Sequence, residues 1–425
     1  AVGLLGLGTV GSGVYRIIQE HQQELEHQTG CSIYIKKILV QDLNKERDVA
    51  IDPSLLTVHA EEILTDPEID VVVEVMGGID HTRDYVLTAL RQKKHVVTAN
   101  KDLIALHGAE LLQAAKENGC DLYYEASVAG GIPIIRSLVE GLASDRIIKI
   151  MGIVNGTTNY ILTKMSKEGA TYEEALKEAQ ALGYAEADPS ADVEGMDAAR
   201  KMAILSTLGF LTNIELDDVS VQGITQVTAE DIAYCAKLGY TIKLIGIAER
   251  HNGRIEVSVQ PTLLPNNHPL ASVNNEFNAV YVYGESVGET MFYGPGAGQM
   301  PTATSVVSDL VTVVKHMRLG VNGRSMVAPL YPKQLKTDEE IFSKYFLRLL
   351  VKDQTGVLAT ITTLFSQYNV SLERVLQLPL KETNEAEIII MTHRTNKKAF
   401  DEVCQALANL DVIRAVKSRY RVEGE

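Results

Sequence analysis

The sequence predicts an α/β protein in three pieces: a doubly wound domain on a parallel sheet, a mixed α/β domain, and a small C-terminal domain. Three observations carry that reading. A glycine-rich turn joins an apolar strand to a helix within the first residues. Short apolar runs then alternate with helical stretches. Beyond residue 345 the elements read strand, helix, strand, strand, helix, strand.

Length and charge bound the rest. A chain of 425 residues exceeds one ordinary core, so two or three domains are expected. Hydrophobic residues at 45% and charged residues at 22% give the balance of a globular protein rather than a disordered chain or a fibre. With 40 basic against 55 acidic residues, the net charge is −15. That argues against nucleic acid and anionic membrane surfaces, which both call for a basic face. No apolar run approaches the ~20 residues that span a bilayer. Residues 1–7 lack the basic segment of a signal or transit peptide and read as a strand that starts the fold. Cys31, Cys120, Cys235 and Cys404 are isolated, without CxxC spacing. The pattern fits a reducing cytoplasm and excludes a cysteine-based zinc site.

The chain opens Val2-Gly3-Leu4-Leu5-Gly6-Leu7-Gly8-Thr9-Val10-Gly11, followed by an amphipathic run to about Leu25. Strand, Gly-x-Gly-x-x-Gly and helix form the Rossmann fingerprint. Gly6 permits the tight turn, Gly8 lets the backbone approach a pyrophosphate, and Gly11 lets the helix pack on the strand. The pyrophosphate then sits at the helix N-terminus, where unpaired amides and the helix dipole favour anions. Gly6, Leu7, Gly8, Thr9, Val10 and Gly11 are the expected contacts. Further strands at 33–40, 71–75 and 95–98, separated by helices, indicate a parallel, doubly wound sheet. The second strand ends Leu39-Val40-Gln41-Asp42, where such a domain selects its ribose partner. An acid there favours NAD, and a nearby arginine favours NADP. Gln41 is neither, Asp42 follows it, and Lys45 and Arg47 lie close behind. NAD and NADP both stay open.

Two segments carry candidate chemistry. The first is Val96-Val97-Thr98-Ala99-Asn100-Lys101. Ligands bind outside the carboxyl ends of parallel strands, so Lys101 should face the crevice, and Thr98 is an expected nucleotide contact. The plainer alternative for Lys101 is a surface lysine that begins a helix. The second segment spans 181–201. Its loop, 183–195, concentrates Glu186, Asp188, Asp192 and Glu194, and a helix begins near Met196. Asp197 and Lys201, four apart, share one helix face. On spacing alone that pair reads as a solvated salt bridge worth a few tenths of a kcal/mol.

The whole of this second segment resembles the homoserine dehydrogenase signature: Ala, Gly, Asp-Pro, Asp, Gly, Asp and Lys in that family's order and spacing. The resemblance extends over nearly the whole chain, through Asn155-Gly156-Thr157-Thr158-Asn159-Tyr160 and Gly294-Pro295-Gly296-Ala297-Gly298. It implies NAD(P)-dependent interconversion of L-homoserine and L-aspartate 4-semialdehyde by hydride transfer, in threonine, methionine and isoleucine biosynthesis. It implies that Lys201 and Lys101 are the catalytic lysines. Glu186, Asp192 and Asp197 would bind or orient the substrate amine and Lys201. A helix at 304–318 would return to the first domain and carry Gly296 near the nicotinamide. The residue types suit the reaction. Oxidising an alcohol by hydride loss requires removing its hydroxyl proton, and the reverse requires supplying one. A lysine does this well when burial or a second cation depresses its pKa.

The stretch Tyr124-Glu125-Ala126-Ser127-Val128-Ala129-Gly130-Gly131-Ile132 reads, from its residues, as a tight domain-crossing loop. One carboxylate among small residues could also wrap a hard cation with carbonyl oxygens. The family resemblance implies a structural sodium ion held by Glu125, Val128, Gly130 and Ile132. Strands are expected at 147–154, 242–248, 255–261 and 279–283, and helices at 171–182 and 196–211. A homodimer or higher homo-oligomer follows from the family.

Residues 320–344 lose periodicity and hold Gly320, Gly323, Pro329 and Pro332, as a linker should. The βαββαβ order that follows is the ferredoxin-like split unit. With Asp353-Gln354-Thr355-Gly356 before its first helix and Asn369-Val370 after it, this unit resembles an ACT domain. Such domains bind small amino acids at paired edges, and the pathway product threonine is the implied effector. A ligand-free dimerisation module is the alternative. The expected domains are 1–128, completed by a helix at about 300–320, then 129–299, then 345–425.

Other classes fit less well. A thioester-forming semialdehyde dehydrogenase needs an activated cysteine, and Cys120, the nearest candidate, reads as a small core residue. A nucleotide-binding regulator would not need Lys101, Asp197 and Lys201 together. A fused aspartate kinase would need a further domain before the first strand, so a monofunctional enzyme is expected.

Overall fold

The structure is a computed structural model and describes residues 1–324, 327–380 and 383–424. The first elements are β1 (Val2–Leu5), α1 (Thr9–Glu20), α2 (Gln22–Thr29), β2 (Ile35–Leu39), β3 (Leu56–Thr57) and β4 (Val71–Glu74). They are followed by α3 (Asp80–Arg91), β5 (His95–Thr98), α4 (Lys101–Glu117) and β6 (Leu122–Tyr123). β1 and β4 are buried at all four positions, as parallel strands covered on both faces must be. The sheet order is β3-β2-β1-β4-β5-β6, with every pairing parallel. The order reverses between β1 and β4, so the binding crevice lies outside their carboxyl ends. The helix expected to reach Leu25 divides at His21 (φ −106°, ψ 26°). Residues 19–24 are exposed, so no packing holds a straight helix across them.

Next come β7 (Ile147–Ile153), α5 (Gly156–Glu168), α6 (Tyr172–Ala181), α7 (Met196–Phe210) and α8 (Ala229–Lys237). The long strands β8 (Tyr240–His251) and β9 (Arg254–Pro265) follow, joined at Asn252-Gly253, both with positive φ. That Asn-Gly pair is the signature of a tight hairpin, and the two strands extend beyond the expected 242–248 and 255–261. β10 (Phe277–Gly284) and β11 (Gly288–Pro295) form a second hairpin, and α9 (Gln299–Leu319) closes the segment. The last elements are β12 (Phe342–Lys352), α10 (Val357–Gln367), β13 (Leu372–Pro379), β14 (Glu385–Thr392), α11 (Lys397–Ala408) and β15 (Ile413–Val422). Their order is βαββαβ. Among the described residues no helix is long and apolar enough to cross a membrane.

The chain forms two compact units: 1–150 with 200–218 and 277–332, and 151–199 with 219–276 and 333–425. In the first, Ala303, Val306, Leu310 and Val313 of α9 share a core with Val14, Ile17 and Ile18 of α1. Gly13 allows this approach, because a Cβ there would lie 2.8 Å from Ala303 Cβ. α9 starts at Gln299, earlier than the expected 304, directly after Gly298 (φ 121°).

In the second unit the strand order is β8-β9-β15-β12-β14-β13. The last strand of the C-terminal domain pairs in parallel with β9, Thr262 to Arg421 and Leu263 to Val422. Buried ion pairs reinforce the seam. Arg348 of β12 reaches Asp231 of α8 at 2.9 Å and Glu387 of β14 at 2.6 Å. Ser418 and Tyr420 of β15 donate to the same Asp231 at 2.6 and 2.7 Å. Arg421 pairs with Glu256 of β9 at 3.1 Å. Breaking one partner of such a buried set leaves an uncompensated charge and costs about 3–5 kcal/mol, so the C-terminal domain is built onto β9 and α8 rather than tethered to them.

Lys243, in the middle of β8, is 1% exposed. Its ammonium donates to Asn159 Oδ1 (3.1 Å), Val273 O (2.6 Å) and Asn274 Oδ1 (3.4 Å). Burial, and secondarily Lys167, push its pKa down to about 7 from the usual 10.5. The unfolded chain therefore binds the extra proton between about pH 7 and 10.5, and Lys243 adds stability as pH rises through that window. We expect the melting temperature of Lys243→Met relative to wild type to fall as pH goes from 7 to 10. Thermal denaturation at both pH values checks it, and a constant difference refutes it.

Candidate active site

The nucleotide turn is shaped by its glycines. Gly6 has φ +102°, and a Cβ there would lie 2.8 Å from the Met76 backbone. A Cβ on Gly11 would lie 2.3 Å from Gly6 O. A Cβ on Gly8 would meet nothing within 4 Å, so its small size leaves room on the open side, where a pyrophosphate needs close approach. Leu7 and Val10 are half-buried and Thr9 is exposed at the start of α1. Gln41 is exposed in the turn after β2. Beyond it the guanidinium of Arg47 donates to the carbonyls of Asp42 (2.5 Å) and Lys45 (2.7 Å).

The carboxyl ends of β4 and β5 are wired together by Glu74, which is fully buried. Its carboxylate accepts from Met76 N (2.9 Å), Gly77 N (3.1 Å) and the Thr98 hydroxyl (2.5 Å), and burial holds its pKa above the usual carboxylate range. Thr98 is therefore turned inward onto Glu74 and also accepts from Asn100 N (3.0 Å). Asn100 caps α4 through Leu103 N (3.0 Å) and donates to Gly78 O (2.7 Å), which fixes Lys101 as the first residue of the helix. Asp102 pairs with Arg200 at 2.9 Å. This partly exposed pair contributes at most about 1 kcal/mol, but it joins the residue after Lys101 to the residue before Lys201. Lys101 is the first residue of α4, and Lys201 is the sixth residue of α7.

In the second unit the loop 183–195 is carried on the start of α5. Asn155 caps that helix, its Oδ1 accepting from Thr158 N (2.9 Å) and Thr158 Oγ1 (2.8 Å). Its Nδ2 donates to Asp192 Oδ1 at 2.6 Å and Asp197 Oδ2 at 2.9 Å. The one amide thus ties both carboxylates to the start of α5. Thr157 holds the other end of the loop through Tyr184 O (2.5 Å). Gly156 and Gly223 allow the fit, since a Cβ on either would lie 2.6 Å from Glu276 O or 2.2 Å from Val193 O. Glu186 stays on the exposed part of the loop. Asp192 and Asp197 are brought together; Glu186 is not placed beside them.

The Glu125 loop is buried. The carboxylate accepts from Ile135 N (2.8 Å) and Arg136 N (2.7 Å), and Glu125 N donates to Asp309 of α9 (2.8 Å). Gly130 (φ +50°) packs so closely on Gly296 that a Cβ would lie 2.4 Å from its carbonyl. The Ser305 hydroxyl donates to Gly130 O (2.7 Å). Val128, Gly130 and Ile132 are buried, as is Glu125. Carboxylate and carbonyl oxygens are the donors that suit a hard cation; here both Glu125 oxygens and Gly130 O already accept from protein donors. Burial pushes the Cys120 thiol up to about 11, which leaves it unsuited to thioester chemistry.

Sequence reasoning missed Glu74, Asn100 and Asn155 as organising groups. Each carries a faint local sign: an acid closing an apolar strand, or an asparagine just before a helix.

Comparison with known proteins identifies the family. The family model described as "Homoserine dehydrogenase, NAD binding domain" matches residues 6–125, "Homoserine dehydrogenase" matches 133–311, and "ACT domain" matches 345–412. A homoserine dehydrogenase of Bacillus subtilis is 63% identical, covering 100% of this chain and 98% of that protein. The crystal structure of one from Thiobacillus denitrificans superposes with a TM-score of 0.94 at 41% identity, covering 99% of this chain and 97% of that one. A hyperthermophilic archaeal homoserine dehydrogenase in complex with NADPH is more distant, with a TM-score of 0.62 at 28% identity over 73% of this chain and 96% of that one. The chain belongs to the homoserine dehydrogenase family, as an oxidoreductase with an NAD-binding domain and a C-terminal ACT domain.

Proposed function

We propose that Lys201 exchanges the proton of the homoserine hydroxyl, that Lys101 assists in the same step, and that Asp192 and Asp197 hold the substrate ammonium. The Asp102–Arg200 pair, which joins the residue after Lys101 to the residue before Lys201, supports this reading. Glu186 belongs to the substrate set by its place in the family signature. A bound nicotinamide would supply the hydride acceptor or donor. Gly6, Leu7, Gly8, Thr9, Val10 and Gly11 would hold the pyrophosphate, with Gln41, Lys101, Gly296 and the backbone at Thr98, whose side chain is turned onto Glu74, along the rest of the nucleotide. NAD or NADP serves; Arg47, whose guanidinium is held on the carbonyls of the turn after Gln41, and the NADPH complex of the archaeal relative favour NADP. The nucleotide domain is 1–128 with the return helix at about 300–320, the catalytic and dimerisation domain is 129–299, and the ACT domain is 345–425. The enzyme works in the cytoplasm.

With L-homoserine and either nucleotide, the nicotinamide absorbance band should rise. Lys201→Ala should lower kcat by about 10²–10⁴-fold, the usual contribution of a positioned acid–base group, while homoserine still binds. Wild-type-like turnover by that variant would remove Lys201 from the role.

We further propose a sodium ion in the Glu125 loop, held by Glu125 and the carbonyls of Val128, Gly130 and Ile132. A homodimer fits the hairpin edge β11, where Met291 and Tyr293 are 40% and 55% exposed beside Tyr283 at 40%. Exposed apolar strand edges invite pairing. Light scattering should give twice the chain mass, and a monomer at micromolar concentration argues against it.

Threonine is the proposed effector of the ACT domain, and the β9–β15 pairing with the Arg348–Asp231 network supplies the physical link to the catalytic part. Calorimetry of L-threonine into the whole chain should give saturable heat and reduced turnover. No heat and no inhibition would leave that domain a structural role alone.

A further inference from the structure

We propose that the first compact unit holds a second small-molecule site: a cavity between α4 and α7 that takes a neutral, single-ring-sized molecule with one hydrogen-bonding group. The cavity has a volume of about 120 Å³, close to the ~150 Å³ of an apolar cavity that binds benzene. Ile104, Gly108 and Leu112 of α4 wall it on one side. Spaced by four, they share one helix face. Ile204, Thr207 and Leu208 of α7 wall it on the other. None of the residues assigned to substrate, nucleotide or cation lines it. The exposed Leu106 and Pro329 stand at its rim, where it opens to solvent. Ile104 and Ala203, both on its wall, follow Lys101 and Lys201 by three and two residues, so an occupant bears on both lysine-carrying helices.

Two residues of the wall have no other explanation in the fold. Gly108 sits in the interior of α4, where glycine costs about 1 kcal/mol relative to alanine. It lies outside the left-handed region, and a Cβ there would meet only Ile104 Cγ2, at an ordinary 3.5 Å. Neither backbone nor packing requires a glycine, so what it supplies is open volume. Tyr124 is 8% exposed. Its hydroxyl has no hydrogen-bond partner among the described residues and is not sealed within protein, so it opens onto the cavity that the residue borders. A buried polar group left unsatisfied costs about 1–3 kcal/mol, which the polar group of a ligand recovers. Thr207, the other hydroxyl on the wall, is spent on Ile214, donating to its carbonyl (3.3 Å) and accepting from its N–H (3.0 Å). Apolar walls make any full charge costly. The adjoining space of about 50 Å³, which Tyr124 also borders, weighs further against an anion. There Glu125, Glu140 and Asp309 face one guanidinium, Arg136, which already donates to Asp309 at 3.2 Å.

Calorimetry on the whole chain tests this with phenol, with toluene as its near-isostere lacking the hydroxyl, and with benzoate as the anion. Phenol should bind saturably and benzoate should not. Tyr124→Phe should weaken phenol about fivefold, the scale of one neutral hydrogen bond, and leave toluene within about twofold. Gly108→Leu fills the cavity and should abolish the binding of both rings. Gly108→Ala, a better helix former than glycine, should melt no lower than wild type and weaken both rings. It keeps the test decisive if the leucine variant does not fold. The proposal is overturned if wild type gives no saturable heat with phenol. It is equally overturned if phenol affinity is unchanged in Tyr124→Phe or in a folded Gly108→Leu.

Discussion

The candidate chemistry of this protein hangs on the first turns of helices, and that placement is the constraint on which the rest depends. A helix start leaves N–H groups without partners and concentrates positive potential. Gly8 precedes α1, Asn100 caps α4 just before Lys101, Asn155 caps α5, and Asp197 lies in the first turn of α7. Where the cap is an asparagine, its carbonyl satisfies the helix and its amide is left to bind something else: Gly78 O for Asn100, and the two aspartates for Asn155. Each cap therefore joins one helix start to a distant loop.

The same logic explains the buried acids that take no direct part in the proposed chemistry. Glu74 gathers two backbone amides and a hydroxyl at the end of β4, and Glu125 gathers two backbone amides at the start of the segment after it. A buried carboxylate without such donors would be costly. With them, it fixes the turn in which it sits. Glu74 thus holds the loop that borders the nucleotide crevice, and Glu125 holds the one that carries the candidate cation site.

The C-terminal domain poses a different question, because a regulatory unit on a flexible tether would have no mechanical route to the catalytic part. Here β15 is hydrogen-bonded to β9, and Asp231 of α8 is the common acceptor for Arg348, Ser418 and Tyr420. A change in the twist of that sheet must be felt by α8 and β9, since a fully satisfied buried network tolerates little displacement without losing a partner.

The sequence by itself determined most of the elements and the family. Glycine spacing, apolar period and caps are encoded within a dozen neighbouring residues, so the nucleotide turn, α7 with Asp197 and Lys201, and the βαββαβ order were all legible. It could not show which acid of the loop 183–195 turns inward, that Thr98 faces Glu74, or that β15 joins β9. Nor did it mark Lys243, whose strand looks apolar and ordinary until three acceptors close around its ammonium. Those outcomes are decided by tertiary structure, because each depends on polar groups many residues apart meeting in a space from which water has been excluded. There an unpaired charge or amide is too costly to keep, so packing selects the one arrangement that pairs them all.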